Sequence, residues 1–346
     1  MKFSNFLFPE SQSPDGDYDV IEESLREAEL SEELGYDVVW LAEHHFDGGC
    51  AYVDPTTFAA AIAARTKKIK IGFAVAQMAL HHPIRFAEQI ALVDNISKGR
   101  MIVGVGRGTA YNFYEFRGFG IDPDDSHEML LEVENILLQA WTTKDYKHNG
   151  KYWQLELPVL RPQVYQKPHP PMIRACSGLE STLEMAREGR PFMMNVQSDE
   201  VTVERMDQYR ATMSDAGHND ETVACNVADS WVWRNIFVAE TDAEAEKVGI
   251  PYFQNMRSYL QTNRDRMNTA AELEAQASRI VGSARNSLEH GIIVGSPETV
   301  TERLQKVHGT GVGGVIIHFR LGAMPHDVAA NSLKLFAQKV APNFQD

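Results

Sequence analysis

Short apolar runs alternate along this chain with stretches whose apolar residues recur every three or four positions. Apolar runs without polar alternation suit strands buried on both faces, and the 3.6-residue spacing marks amphipathic helices. Residues 2–8 read as a first strand, 37–42 (DVVWLA) as a second, 69–76 as a third and 101–106 as a fourth. Residues 172–176, 192–195, 227–239 and 312–319 (VGGVIIHF) supply strands five to eight. Between the first two strands, residues 18–35 set Ile21, Leu25, Ala28, Leu30 and Leu34 at helical spacing and end at Gly35, a residue suited to a helix C-terminus. Helices are also predicted over 54–65, with Asp54 as N-cap and Pro55 in the first turn, and over 83–96, 125–141 and 327–340.

Parallel strands need helical crossovers, so eight strand–helix units predict a parallel sheet, and eight is the number that closes a (β/α)8 TIM barrel. An open doubly wound sheet is the alternative, but its GxGxxG turn is absent: the first strand–helix turn reads PESQSPDGD. The expected organisation is a single domain over 1–346 with insertions at 141–171 and 253–291. The second insertion is polar and rich in amides and arginines, which predicts a long loop acting as a mobile lid.

Charge narrows the function. Thirty-three Lys and Arg stand against 48 Asp and Glu, a formal net charge of −15, which argues against binding to nucleic acid or to an anionic membrane surface. Cys50, Cys176 and Cys225 fall at no zinc or disulfide spacing, so no metal site is expected, and their odd number fits the reducing cytoplasm. The first apolar run soon meets Pro9, Glu10 and Asp15, so neither a secretion signal nor a membrane span is expected there.

In such a barrel, chemistry belongs at the C-terminal ends of the strands. Strand two ends in Glu43-His44-His45-Phe46, and alternation puts Glu43 and His45 on one side and His44 on the other. One imidazole then faces the mouth; which one stays open, as does a purely structural role. Strand three ends in an apolar stretch around Ala74-Val75 that suits the face of an aromatic ring or plain barrel core. Strand four runs into GVGRGTAY, where glycines admit a ligand close to the backbone and Arg107 can pair with phosphate. Strand five runs through Cys176-Ser177-Gly178 into a helix carrying Ser181 and Thr182, so free N–H groups, a helix dipole and three hydroxyls coincide. Together these describe an enzyme holding a phosphorylated aromatic cofactor.

Several segments tighten this reading: VWLAEHHF at 39–46, HPIRFAEQIALVDNISKGR at 82–100, GRG around Arg107, FRGFG at 116–120, GKYW at 150–153 and GSPETV at 295–300. On them the chain resembles the luciferase-like flavin-dependent monooxygenases, and within that family the catalytic (alpha) subunits. The resemblance implies a TIM barrel, often a homodimer, that binds FMN reduced by a separate flavin reductase. With O2 the reduced flavin gives a hydroperoxide that oxygenates an aldehyde, a ketone or another small organic substrate. His44 is then the acid/base, with Glu43 beside it. Ala74-Val75 is a non-proline cis peptide beneath the flavin, and Gly106, Arg107, Thr109, Tyr111, Glu115 and His127 lie around the cofactor. Cys176, Ser177, Gly178 and Thr182 form its phosphate end, and 253–291 is the lid. The chain departs from the family pattern at three positions. Gly106 replaces a reactive cysteine, His127 replaces a second phosphate arginine, and Val196 replaces a substrate-side aromatic. Two other readings share the barrel: a deazaflavin-dependent hydride-transfer oxidoreductase, and a flavin-binding protein without turnover.

Overall fold

The structure is a computed structural model that describes residues 1–109, 111–280 and 284–344. Its eight barrel strands are β1 (Lys2–Leu7), β2 (Val38–Leu41), β3 (Lys70–Phe73), β4 (Met101–Gly106), β5 (Met172–Cys176), β6 (Phe192–Met194), β7 (Trp231–Val238) and β8 (Gly314–His318). Each pairs in parallel with the next, and β8 pairs with β1, so the sheet closes into a TIM barrel with helices outside.

The lower barrel is filled by two tryptophans. Trp40 and Trp231 meet edge to face with centroids 5.3 Å apart. A Cβ at Gly72 would lie 2.4 Å from the Trp40 ring, and one at Gly314 would lie 2.4 Å from the Trp231 ring, so only glycine leaves room for both. The Trp40 indole donates to Ser4 Oγ (2.9 Å), which itself donates to the Val315 carbonyl (2.8 Å), so no polar group is stranded. Burying each indole contributes about 5 kcal/mol by area. Outside, helix Pro55–Arg65 starts as expected, with the Asp54 side chain accepting from the amides of Thr56 and Thr57. Arg100 fastens the barrel base by donating to the carbonyls of Ala63, Ile69 and Ser97.

Three expectations need correction. The strand expected over 69–76 stops at Phe73; after the Ala74–Val75 peptide a two-residue strand, Ala76–Gln77, resumes pairing with β4. The seventh strand starts at Trp231, because Asn219 caps a helix, Asp220–Ala228, that takes the residues before it. The insertion expected as a loop over 253–291 is largely helical where it is described: Asp242–Met267 runs straight into it, followed by Ala270–Ile280. Residues 281–283 of the expected lid lie outside the described residues. Polarity masked the Ala, Leu, Glu, Gln and Arg that favour helix. Past this insertion, Ile292–Gly295 pairs with the outer half of β7. The insertion over 141–171 carries an antiparallel hairpin, Tyr146–Asn149 with Gln154–Leu157. No described helix is long and apolar enough to cross a membrane.

Candidate functional site

Two buried carboxylates organise the barrel mouth. Glu115, fully buried on helix Phe113–Gly118 after β4, lies 2.8 Å from His44 Nδ1 through Oε1. The same oxygen accepts from the His45 amide (3.1 Å) and Asn112 Nδ2 (3.3 Å), and Oε2 accepts from Gln77 Nε2 (3.0 Å). Glu43 accepts the Gln77 amide and lies 2.9 Å from His81 Nε2 and 3.2 Å from His45 Nε2. Gln77 Nε2 also donates to the Glu43 carbonyl (2.8 Å), so one amide side chain joins the two centres. The expectation that Glu43 partners His44 is therefore corrected: alternation turns adjacent side chains to opposite sides of the strand, and Glu115 takes His44.

The charges follow this geometry. Burial opposes an ionised His44, but the adjacent Glu115 outweighs it, so the imidazole sits above its ordinary value. Burial likewise pushes Glu115 up, and His44, Gln77 and the His45 amide together hold it below the usual carboxylate range. His81 is raised against its own burial by Glu43, and Glu43 is lowered against burial by His81, His45 and the Gln77 amide. Each pair favours imidazolium with carboxylate. With Nδ1 committed to Glu115, His44 keeps Nε2 as its second proton site.

An aromatic wall stands beside His44. Phe8 lies 5.4 Å from the His44 ring and 5.8 Å from His318, Trp233 stacks on His318 at 6.1 Å, and Phe6 meets both Trp233 and His318 edge on. Burial lowers His318 to about 4, which keeps it neutral. His45 packs away from this wall, against Phe119 and Phe46. His44 is thus the imidazole on the aromatic side, and His45 the one on the Glu43 side.

Comparison with known proteins decides the class. The family model for luciferase-like monooxygenases matches residues 1–314. The chain belongs to the luciferase-like monooxygenases. It is an enzyme, a flavin-dependent monooxygenase. Limonene 1,2-monooxygenase of Rhodococcus erythropolis is 26% identical over 99% of this chain and 86% of its own length. The monooxygenase RslO1 of Streptomyces bottropensis superimposes with a TM-score of 0.83 at 28% identity, over 100% of both chains. The oxygenating constituent of 3,6-diketocamphane monooxygenase from Pseudomonas putida, solved in complex with FMN, gives a TM-score of 0.79 at 20% identity, over 99% of this chain and 98% of that one.

In this monooxygenase most of the remaining expected residues lie at or just beyond neighbouring strand ends, and His127 does not. The Ala74–Val75 peptide is cis. A Cβ at Gly106 would lie 2.6 Å from Val75 Cγ2 and 3.7 Å from Ala175 Cβ, which leaves no free space for the cysteine of the family pattern. Arg107 and Thr109 follow β4, half-buried, beside the end of β5. Ser177 is exposed at the start of helix Leu179–Glu188, whose N-cap, Gly178, supplies no side chain. Thr182 is buried and donates to the Gly178 carbonyl (3.0 Å), and Ser181 does the same. The Cys176 thiol donates to the Ser181 carbonyl (3.2 Å), and burial pushes it up to about 12, so it is an inert packing group. His127 is exposed on helix Ser126–Thr142, and Val196 is buried.

Sequence reasoning missed five contributors: Gln77, Asn112, His81, Trp233 and Arg205. Arg205, on helix Asp199–Asp215, donates through Nη2 to the Ser177 carbonyl (3.2 Å), while its buried Nη1 has no hydrogen-bond partner among the described residues. Nothing local marked it, since it is one of several charged residues on a polar helix.

Proposed function

We propose that this chain is the oxygenase of a two-component system. It takes FMN reduced by a separate flavin reductase and uses O2 to oxygenate a small organic substrate, such as an aldehyde or ketone, working in the cytoplasm as a homodimer. Reduced flavin, when bound, supplies the electrons that activate O2 for transfer to the substrate. The observation that carries the reading is the donor set at the ends of β4 and β5. Arg107, the Ser177 hydroxyl, the N–H groups starting at Leu179 and the Arg205 Nη1 that has no partner among the described residues suit a phosphate monoester. Arg205 offers the second guanidinium that His127 does not. The cis Ala74–Val75 peptide with Gly106 and Ala175 beside it offers a small, flat surface suited to a planar ring. His44 holds a proton on Glu115 and presents Nε2 to the reacting centre, and the wall of Phe6, Phe8 and Trp233 excludes water. Exposed Leu92 and Ile96 on helix Pro83–Ser97 support self-association.

The test is a titration with FMN, riboflavin and a deazaflavin, followed by product analysis with FMNH2, O2 and a panel of aldehydes and ketones, with and without a carboxylate group. FMN binds best under this proposal, and His44→Ala lowers turnover by ~10²–10⁴-fold. Preference for the deazaflavin, or binding of FMN with no oxygenated product from the panel, refutes it.

A further inference from the structure

A chain of net charge −15 brings three guanidiniums together at the edge of its barrel mouth. Arg264 lies over the Tyr111 ring, with Cζ 4.6 Å from its centroid. Arg285 Nη1 donates to the Tyr111 hydroxyl (3.0 Å), and its Cζ lies 5.6 Å from the centroid of the Trp233 ring. Arg257 donates to the Asn286 side-chain oxygen (2.9 Å) and Arg264 to that of Asn112 (2.9 Å), so among the described residues their side chains bond neutral acceptors. Burial and then the neighbouring Arg264 and Arg285 push Arg257 down to about 10. Burial would raise the Tyr111 phenol, yet Arg285, Arg264 and Arg257 hold it below its ordinary value. The Trp233 indole N–H, also buried, has no acceptor among the described residues.

These contacts close a circuit. It runs from His44 through Asn112, Arg264, Tyr111, Arg285, Trp233, His318 and Phe8 back to His44. One half of the circuit is cationic and rich in donors, and the other is aromatic. Resting on the monooxygenase reading above, we propose that Arg257, Arg264 and Arg285, with Tyr111 and the Trp233 indole, form a subsite for the anionic head of the substrate, and that the substrate is an aromatic or alicyclic carboxylate whose apolar body lies on Trp233, Phe6 and Phe8. A carboxylate offers the planar acceptor pair that guanidiniums match, and it relieves their mutual repulsion. A neutral isostere would leave buried donors unpaired, which is the strongest basis for discrimination. The phosphate donors Ser177 and Arg205 come from the turn after β5 and the helix after β6, whereas the guanidiniums of this cluster come from Asp242–Met267 and Ala284–Asn286 and its indole from β7; Tyr111 shares the segment after β4 with Arg107.

The test is calorimetric titration of the full chain with benzoate and with benzamide, without FMN and at saturating FMN, for the wild type, Arg257→Gln and Arg285→Gln. Benzoate is expected to bind roughly tenfold or more tighter than benzamide, to keep that preference with FMN present, and to approach parity in both variants. The wild-type comparison stands alone if a variant misfolds. Equal affinities, binding of neither probe, or exclusion of benzoate by FMN would overturn the proposal, the last by assigning the guanidiniums to the cofactor. The FMN titration reads the flavin proposal separately: a protein that prefers benzoate yet binds no FMN keeps this subsite and loses that function.

Discussion

Replacing Glu115 by glutamine tests whether the His44–Glu115 pair is ionised. At 2.8 Å and an effective dielectric of ~20, the charge–charge attraction is ~6 kcal/mol, opposed by the cost of burying both groups. Removing one partner of such a pair costs ~3–5 kcal/mol when the other stays charged. His44 has an escape: in Glu115→Gln its environment is left dominated by burial, so its proton affinity falls below ordinary and the ring neutralises. That sets the pH dependence. In the wild type the folded pKa of His44 lies above its ordinary 6.5, so its stabilisation is full below pH 6.5 and disappears as pH rises through the folded value. The folded value of Glu115 lies below its ordinary 4.5, so its share is full above pH 4.5 and disappears as pH falls through the folded value. The gap between the two proteins is therefore widest between pH 4.5 and 6.5. Above that window the wild type loses stabilisation while the variant sheds its penalty for burying a charged ring. Urea unfolding should give a loss of about 3 kcal/mol at pH ~5.5 and about 1 kcal/mol at pH ~9. A histidine NMR titration should show the His44 midpoint moving down in the variant. An equal gap at both pH values, or a wider gap at the higher one, would refute an ionised pair.

Arg205→Gln should weaken FMN by ~10–100-fold and leave riboflavin nearly unchanged, because only the phosphate is lost from view; fluorescence titration of both flavins checks it, and equal losses would place Arg205 away from the phosphate. Gly106→Cys should cost ~1–3 kcal/mol in thermal or urea unfolding, since its Cβ would meet Val75 Cγ2 at 2.6 Å. Gly104→Ala should yield no folded protein, because its Cβ would fall 1.6 Å from the Phe73 carbonyl oxygen. Gly120→Ala, at φ +71° with open space around it, should cost only ~1 kcal/mol by the same measurement.

The barrel was legible because its strands are continuous apolar runs, a pattern set by burial on both faces. Where another force acts locally, the pattern misleads: Asn219 nucleates a helix in residues that also read as strand, and charged side chains on Asp242–Met267 hide its helical period. The site was legible one residue at a time. His44 stands out at a strand end, but its partner lies 71 positions away on a helix that the pairing of β2, β3 and β4 brings near. Alternation separated Glu43 from His44 and paired it with His45, as the structure has it, but no spacing named Glu115 as the partner of His44. Arg205 meets Ser177 across 28 positions and two elements, a relation no spacing rule carries.

Asn112 ties the two halves of the mouth into one electrostatic unit. Its Nδ2 donates to Glu115 (3.3 Å) while its Oδ1 accepts from Arg264 Nε (2.9 Å). Arg264 works against the proton on His44, and Glu115 works for it. An anion placed on Arg264 cancels the opposing influence and leaves Glu115 to dominate. Under the subsite proposed above, an anion on Arg264 thus strengthens the hold of His44 on its proton, so a filled subsite and a protonated His44 favour each other.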